Sequence, residues 1–186
     1  MGKVAAALLL MLYCAGCAQR STLPQAPACV PPSVPVREYL AYVKEEPLQP
    51  LVCEKGREVY RFGSYTFHFG NEAHAFRLDV GPDGRATITV RRTDFVERGT
   101  PPLVFDKSRM LTDGELVAFR KAFDASNYWA LPTEPKTMPC LPDGMNLVEV
   151  VRDGRYHDRV RYCGRGEPSM DPVFAIVNTL DQSLEK

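Results

Sequence analysis

The chain has 186 residues, 45% hydrophobic, 25% charged and 10% aromatic, which fits one globular domain. Lys plus Arg number 23 and Asp plus Glu number 23, so the formal net charge is zero and lacks the cationic excess of a nucleic-acid binder. The apolar content excludes a disordered chain, and no run of about 18 apolar residues offers a spanning helix.

The first element in chain order is a signal segment. Met-Gly-Lys precedes an apolar run from Val4 to Tyr13, then Cys14-Ala15-Gly16-Cys17. One basic residue, an apolar stretch and a small-residue site are the parts of a secretory signal peptide. About ten helical residues rise only about 15 Å, half of a bilayer core, so the run engages a translocon without spanning.

These residues resemble the signal of bacterial lipoproteins. Ala15, Gly16 and Cys17 match the lipobox, and Cys14 stands where leucine is usual. The resemblance implies cleavage before Cys17, a diacylglycerol on its sulfur and a third acyl chain on its new amine. Several acyl chains anchor stably. Ala18 after the cysteine, rather than Asp, implies an outer-membrane address facing the periplasm. The Cys14-x-x-Cys17 spacing is not read as a redox or metal motif, because it lacks a strand–helix context. Residues 1–16 are therefore expected to be a signal peptide, 17–50 a lipidated N-terminus with a Pro-rich linker, and 51–186 one periplasmic domain.

Seven of the 16 prolines lie between Leu23 and Pro50, a composition that favours an extended, semi-rigid spacer. Within it, Val36–Lys44 carries Tyr39, Leu40 and Val43 at spacings suited to a short helix docking on the domain. With Cys14 removed and Cys17 lipidated, Cys29, Cys53, Cys140 and Cys163 remain. An even number in an oxidising compartment reads as two disulfides with three possible connectivities. Cys29–Cys53 and Cys140–Cys163 are favoured because each brackets a local segment, and each would contribute about 3 kcal/mol. A metal site is disfavoured, since paired-ligand spacings are missing.

A strand is expected over Val59–Phe69, with Tyr65, Phe67 and Phe69 in step. Phe76, Leu78 and Val80 then alternate with polar residues, as do Ala86, Ile88 and Val90, around Gly81-Pro82-Asp83-Gly84. That turn pairs Val80 with Ala86, Leu78 with Ile88 and Phe76 with Val90, which puts all six on one face. Thr112-Asp-Gly-Glu115 is a capping box, with Leu111 and Leu116 as its staple. Leu116, Phe119 and Phe123 follow at helical spacing.

Further along, Leu147–Val151 and Tyr156–Tyr162 flank Asp153-Gly154, a strong hairpin signal that pairs Val151 with Tyr156 and Leu147 with Val160. Asp171-Pro172 reads as an N-cap and first-turn proline, before a stripe of Val173, Val177, Leu180 and Leu184. Strand, hairpin, helix, hairpin and helix make an α+β domain: an antiparallel sheet of β-hairpins with two helices packed on it, stapled by disulfides. The helix, lone Trp, Asp-Gly hairpin and closing helix resemble small lipoproteins of unknown function, a likeness that implies no activity.

Chemistry is sparse. His68, His74 and His157 fit no catalytic motif, and neither cofactor nor metal is expected. His68 reads as facing water and His74 as lying by a turn at Gly70-Asn71. The second hairpin places Glu149 opposite Asp158, a weak candidate for a catalytic carboxylate pair acting on cell-wall sugars. Its other face carries Arg155, His157, Arg159 and Arg161, a stripe suited to an anionic partner. Trp129 reads as a core plug under a loop rather than a ligand platform. The expectation is a non-enzymatic, lipid-anchored envelope module that binds a protein or an anionic envelope component. The alternatives are an inhibitor of a lysozyme-like hydrolase and a carboxylate-dependent hydrolase.

Overall fold

A computed structural model describes residues 34–66, 70–132, 144–162 and 167–185. Among these residues the chain forms three α-helices and six strands. In order they are α1 (Val34–Tyr42), β1 (Glu58–Thr66), β2 (Glu72–Val80), β3 (Ala86–Thr93), β4 (Leu103–Met110), α2 (Asp113–Ala125), β5 (Gly144–Arg152), β6 (Arg155–Tyr162) and α3 (Asp171–Gln182). The strands make one antiparallel sheet in the order β4-β3-β2-β1-β5-β6. The architecture is α+β, as the sequence predicts.

Both hairpins take the expected register. Val80 pairs with Ala86, Leu78 with Ile88 and Phe76 with Val90. Val151 pairs with Tyr156, Glu149 with Asp158 and Leu147 with Val160. The turn residues explain why: Asp153 and Gly154 both adopt positive φ (55° and 67°), the backbone of a tight two-residue hairpin. Gly84, at φ 80°, completes the other turn.

Period-two alternation splits the sheet into two buried faces. On one face Tyr60, Phe62, Phe76, Leu78, Ile88, Val90, Val148 and Val150 pack against α2 and α3. Helix α2 starts at the predicted capping box: the Thr112 hydroxyl accepts from the Glu115 amide (3.3 Å), and Glu115 accepts from the Thr112 amide (2.8 Å). Its Leu116, Phe119 and Phe123 are buried, with Tyr60 edge-on to both phenylalanine rings at 4.9 and 4.7 Å. In α3, Val173, Val177 and Leu180 face the core, and Leu184 just beyond the helix does too.

The other face is covered by α1. Val36, Tyr39, Leu40 and Val43 pack on Tyr65, Ala73, Ala75, Met145, Leu147 and Val160. Leu48, next to a 3-10 turn at Gln49–Cys53, adds a satellite core with Val59 and Val151. Part of the Pro-rich segment is thus folded against the sheet. Tyr39 explains a glycine mid-strand: a Cβ on Gly63 would lie 2.2 Å from its Oη.

The structure corrects several expectations. The short docking helix expected over Val36–Lys44 forms, with its bounds shifted to Val34–Tyr42. Strand β4 was not foreseen; it is an edge strand whose side chains are largely exposed. The N-cap of α3 is Met170, not Asp171, because a 3-10 turn at Pro168–Met170 runs straight into the helix. His74 lies inside β2 rather than at a turn. Among the described residues no disulfide forms: Cys53 is exposed with a free thiol. Cys17, Cys29, Cys140, Cys163, Phe67, His68 and Phe69 lie outside the described residues.

Candidate functional site

The residues singled out by sequence separate onto the two faces of the sheet. Glu149 and Asp158 are paired in register and point toward the α1 face. Glu149 is buried there, and both of its oxygens are engaged. Arg61 Nη1 donates to one (2.6 Å) and the Tyr156 hydroxyl to the other (2.9 Å). Arg61, fully buried, also donates from Nη2 to Glu45 (2.9 Å) and to the Glu46 carbonyl (2.6 Å). Glu45 in turn accepts from Arg77 and Arg91, each at 2.6 Å. Glu149 therefore belongs to a closed charge network that ties the segment after α1 to the middle of the sheet. It is not open to a sugar.

Arg155, His157, Arg159 and Arg161 lie on the opposite face, and they are not a solvated stripe. The Arg155 guanidinium sits 4.4 Å over the Trp129 ring, which itself packs half-buried against the core. A ring nitrogen of His157 is 2.8 Å from the Leu131 carbonyl. Arg159 and Arg161 both donate to Glu167 Oε1, at 2.8 and 3.2 Å. Arg159 is a special case: its side chain is 4% exposed, yet its Nη1 has no hydrogen-bond partner.

Registers across the four strand pairs from β3 to β6 show the surroundings of Arg159. Neighbouring inward positions line up as rows running across the sheet. One row is Val90, Phe76, Phe62, Val148 and Arg159; it is apolar until its last member. The next is Arg92, His74, Ser64, Asn146 and Arg161; it is polar throughout. The apolar stripes of four strands therefore turn polar at the same end of the sheet.

Helix α3 and its lead-in close this polar row at both ends. Asp181 accepts from Arg92 Nη2 (2.6 Å), and its other oxygen lies 3.1 Å from His74 Nε2. Glu167 holds the two arginines at the far end. Between these clamps lies a cleft of about 320 Å³, with Phe62, Phe76, Phe174 and Val177 as its apolar lining. Its polar groups include Ser64, Asn146, Arg159 and Arg161 together with the carboxylates of Glu167 and Asp171. A volume near the lower end of the roughly 300–1,000 Å³ of small-molecule sites, with an apolar lining and few convergent donors, describes a binding pocket.

Burial lowers the His74 pKa from its ordinary value of 6.5, against the pull of Asp181 in the other direction. Ser64, His74 and Asp181 are the residue types of an acyl-transfer triad, but Ser64 makes no hydrogen bond to His74, and Asp181 is shared with Arg92. The arrangement binds acceptors better than it moves protons. Among the described residues no group of three or more His, Cys, Asp or Glu is placed to hold a metal ion.

Sequence reasoning found Arg159 and Arg161 but not the site. The available signal was Ser64, His74 and Asn146 continuing otherwise apolar alternations; only the full register shows that they meet. No family model matches this chain, and a comparison with curated proteins finds no match.

Proposed function

We propose that this chain is a lipid-anchored, outer-membrane lipoprotein whose periplasmic domain is a non-catalytic binding module for a small amphipathic molecule. The observation that carries the reading is the cleft under α3, where an apolar lining meets polar groups that the fold clamps at its edges and leaves open at its centre. The lipobox-like residues up to Cys17 support the anchor. Disulfides Cys29–Cys53 and Cys140–Cys163 belong to the same reading; Cys53 is exposed, so its thiol is open to pairing with Cys29.

Two measurements test it. Metabolic labelling with palmitate is expected to mark the chain and to vanish in Cys17→Ser; release of the unlabelled wild-type chain by salt alone would remove the anchor. Native mass spectrometry of protein taken gently from membranes is expected to show a small-molecule adduct, lost in Phe174→Arg. A bare wild-type chain that also ignores every amphipathic probe would remove the binding role.

A further inference from the structure

We infer that the cleft takes an uncharged amide: a small molecule with an apolar body and one neutral carboxamide group, whose carbonyl accepts from Arg159 Nη1. The inference rests on the cleft being a binding site and names the class of ligand it holds.

Charge disfavours an ion. Arg159 and Arg161 both donate to Glu167 Oε1, and Arg161 also donates to the Pro132 and Val160 carbonyls. Asp171, at the start of α3, adds a second carboxylate to the lining. Two arginines thus face two carboxylates. His74, which also lines the cleft, is uncharged at neutral pH, because burial lowers its pKa from the ordinary 6.5. Its neighbour Asp181 lies beside Arg92, outside the lining. A charged ligand would give up water for walls with no spare counter-charge, which is costly; an uncharged one avoids that cost.

The cleft still lacks an acceptor. A guanidinium has five N–H donors in a planar fork, and a donor buried without an acceptor is unfavourable. The Arg159 side chain is 4% exposed; its Nη2 donates to Glu167, and its Nη1 has no partner. A neutral carbonyl oxygen supplies that acceptor and leaves the charges balanced. Asn146 on β5 and Asn178 on α3 select the rest of the polar group. Both line the cleft, and neither side chain has a hydrogen-bond partner among the described residues. A carboxamide has an acceptor oxygen and two donor hydrogens, so another carboxamide is its full complement, whereas an ester offers no donor. Phe62, Phe76, Phe174 and Val177 form the apolar wall for the body.

Three ligands with one body test this on the full chain at neutral pH: cinnamamide, cinnamate and methyl cinnamate. Octanamide, octanoate and methyl octanoate repeat the set with an alkyl body. Binding is followed by chemical-shift titration of the Phe174 and Val177 signals. In at least one set the amide is expected to bind about tenfold or more tightly than the acid. It is expected to bind about fivefold more tightly than the ester, the scale of one neutral hydrogen bond.

Variants separate the parts. Arg159→Met should weaken amide and ester alike and keep their ratio, with the melting transition confirming the fold. Asn146→Ala combined with Asn178→Ala should level the amide and the ester. Glu167→Gln leaves one arginine unmatched, so the acid should gain severalfold on the amide. Wild-type binding of the acid as tight as that of the amide overturns the uncharged ligand. Binding of the ester as tight as that of the amide overturns the carboxamide. Either result leaves the binding module standing, whereas no binding by any of the six overturns the module as well.

Discussion

The two faces of the sheet bury arginines in opposite ways. Under α1, Arg61 has acceptors from Glu149, Glu45 and the Glu46 carbonyl, and Glu45 is further held by Arg77 and Arg91. Under α3, Arg159 has one ion-pair partner and a donor left over. A buried charge whose acceptors come from separate segments ties them together, even though the Arg61 Nε has no partner. Arg159, with a single carboxylate partner, lines an open cleft instead.

The contrast can be broken most severely at Arg61. Arg61→Ala leaves buried Glu149 without its guanidinium and takes one of three arginines from Glu45, and is expected to cost about 3–5 kcal/mol in denaturant unfolding. Replacing Arg61 and Glu149 together by apolar residues should recover much of that loss. A single substitution costing less than about 1 kcal/mol, the range of exposed pairs, would show that the network is not a tie.

A smaller effect comes from Gly63. In Gly63→Ala the new Cβ meets the Tyr39 ring at 2.2 Å from Oη, so α1 must shift on its face. Overpacking of this kind costs about 1–3 kcal/mol, and limited proteolysis should cut the segment between α1 and β1 faster than in the wild-type chain. Tyr39 offers the reverse test. Its buried hydroxyl has no hydrogen-bond partner. Burial drives its pKa strongly upward, with Arg61 opposing, so the phenol stays neutral. Tyr39→Phe should therefore stabilise by about 1 kcal/mol, since it removes an unsatisfied group and keeps the packing.

The smallest expected effect lies at the start of α2 and depends on pH. Glu115 has its pKa lowered from 4.5 to about 2, chiefly by its hydrogen bonds from Arg109 and then by the Thr112 cap. A lowered pKa in the folded state gives stability that is present above pH 4.5 and lost as the pH falls toward 2. The group is partly exposed to solvent, so screening limits the contribution to about 1 kcal/mol or less. Glu115→Gln should flatten the stability profile in that window and leave the profile from about pH 5 to about pH 8 parallel to wild type.

Local chemistry was legible in the sequence and long-range placement was not. Asp153-Gly154, Pro82-Asp83-Gly84 and Thr112-x-x-Glu115 each dictate a turn or cap through nearby backbone conformation, and all formed as read. Strand β4 escaped because it lies at an edge, where Lys107 and Arg109 occupy the positions that apolar residues fill in the central strands. Arg61 carried no sign of its role, since a charged residue in an alternating strand reads as facing water until α1 is known to cover that face. Asp181, in α3, could not be joined to His74 by any local pattern; they meet only because α3 crosses the end of β2.

The sheet order carries a kinetic consequence. Strands β1 to β4 follow one another as neighbours, but β5 pairs with β1 across the whole of that meander and α2. Closing so long a loop is entropically slow, whereas the meander needs only short ones. Until β5 arrives, Arg61 has no Glu149 and one side of β1 remains an open edge. The step that neutralises the buried charge is then the same step that completes the sheet, so the two halves of the chain commit to the native state together.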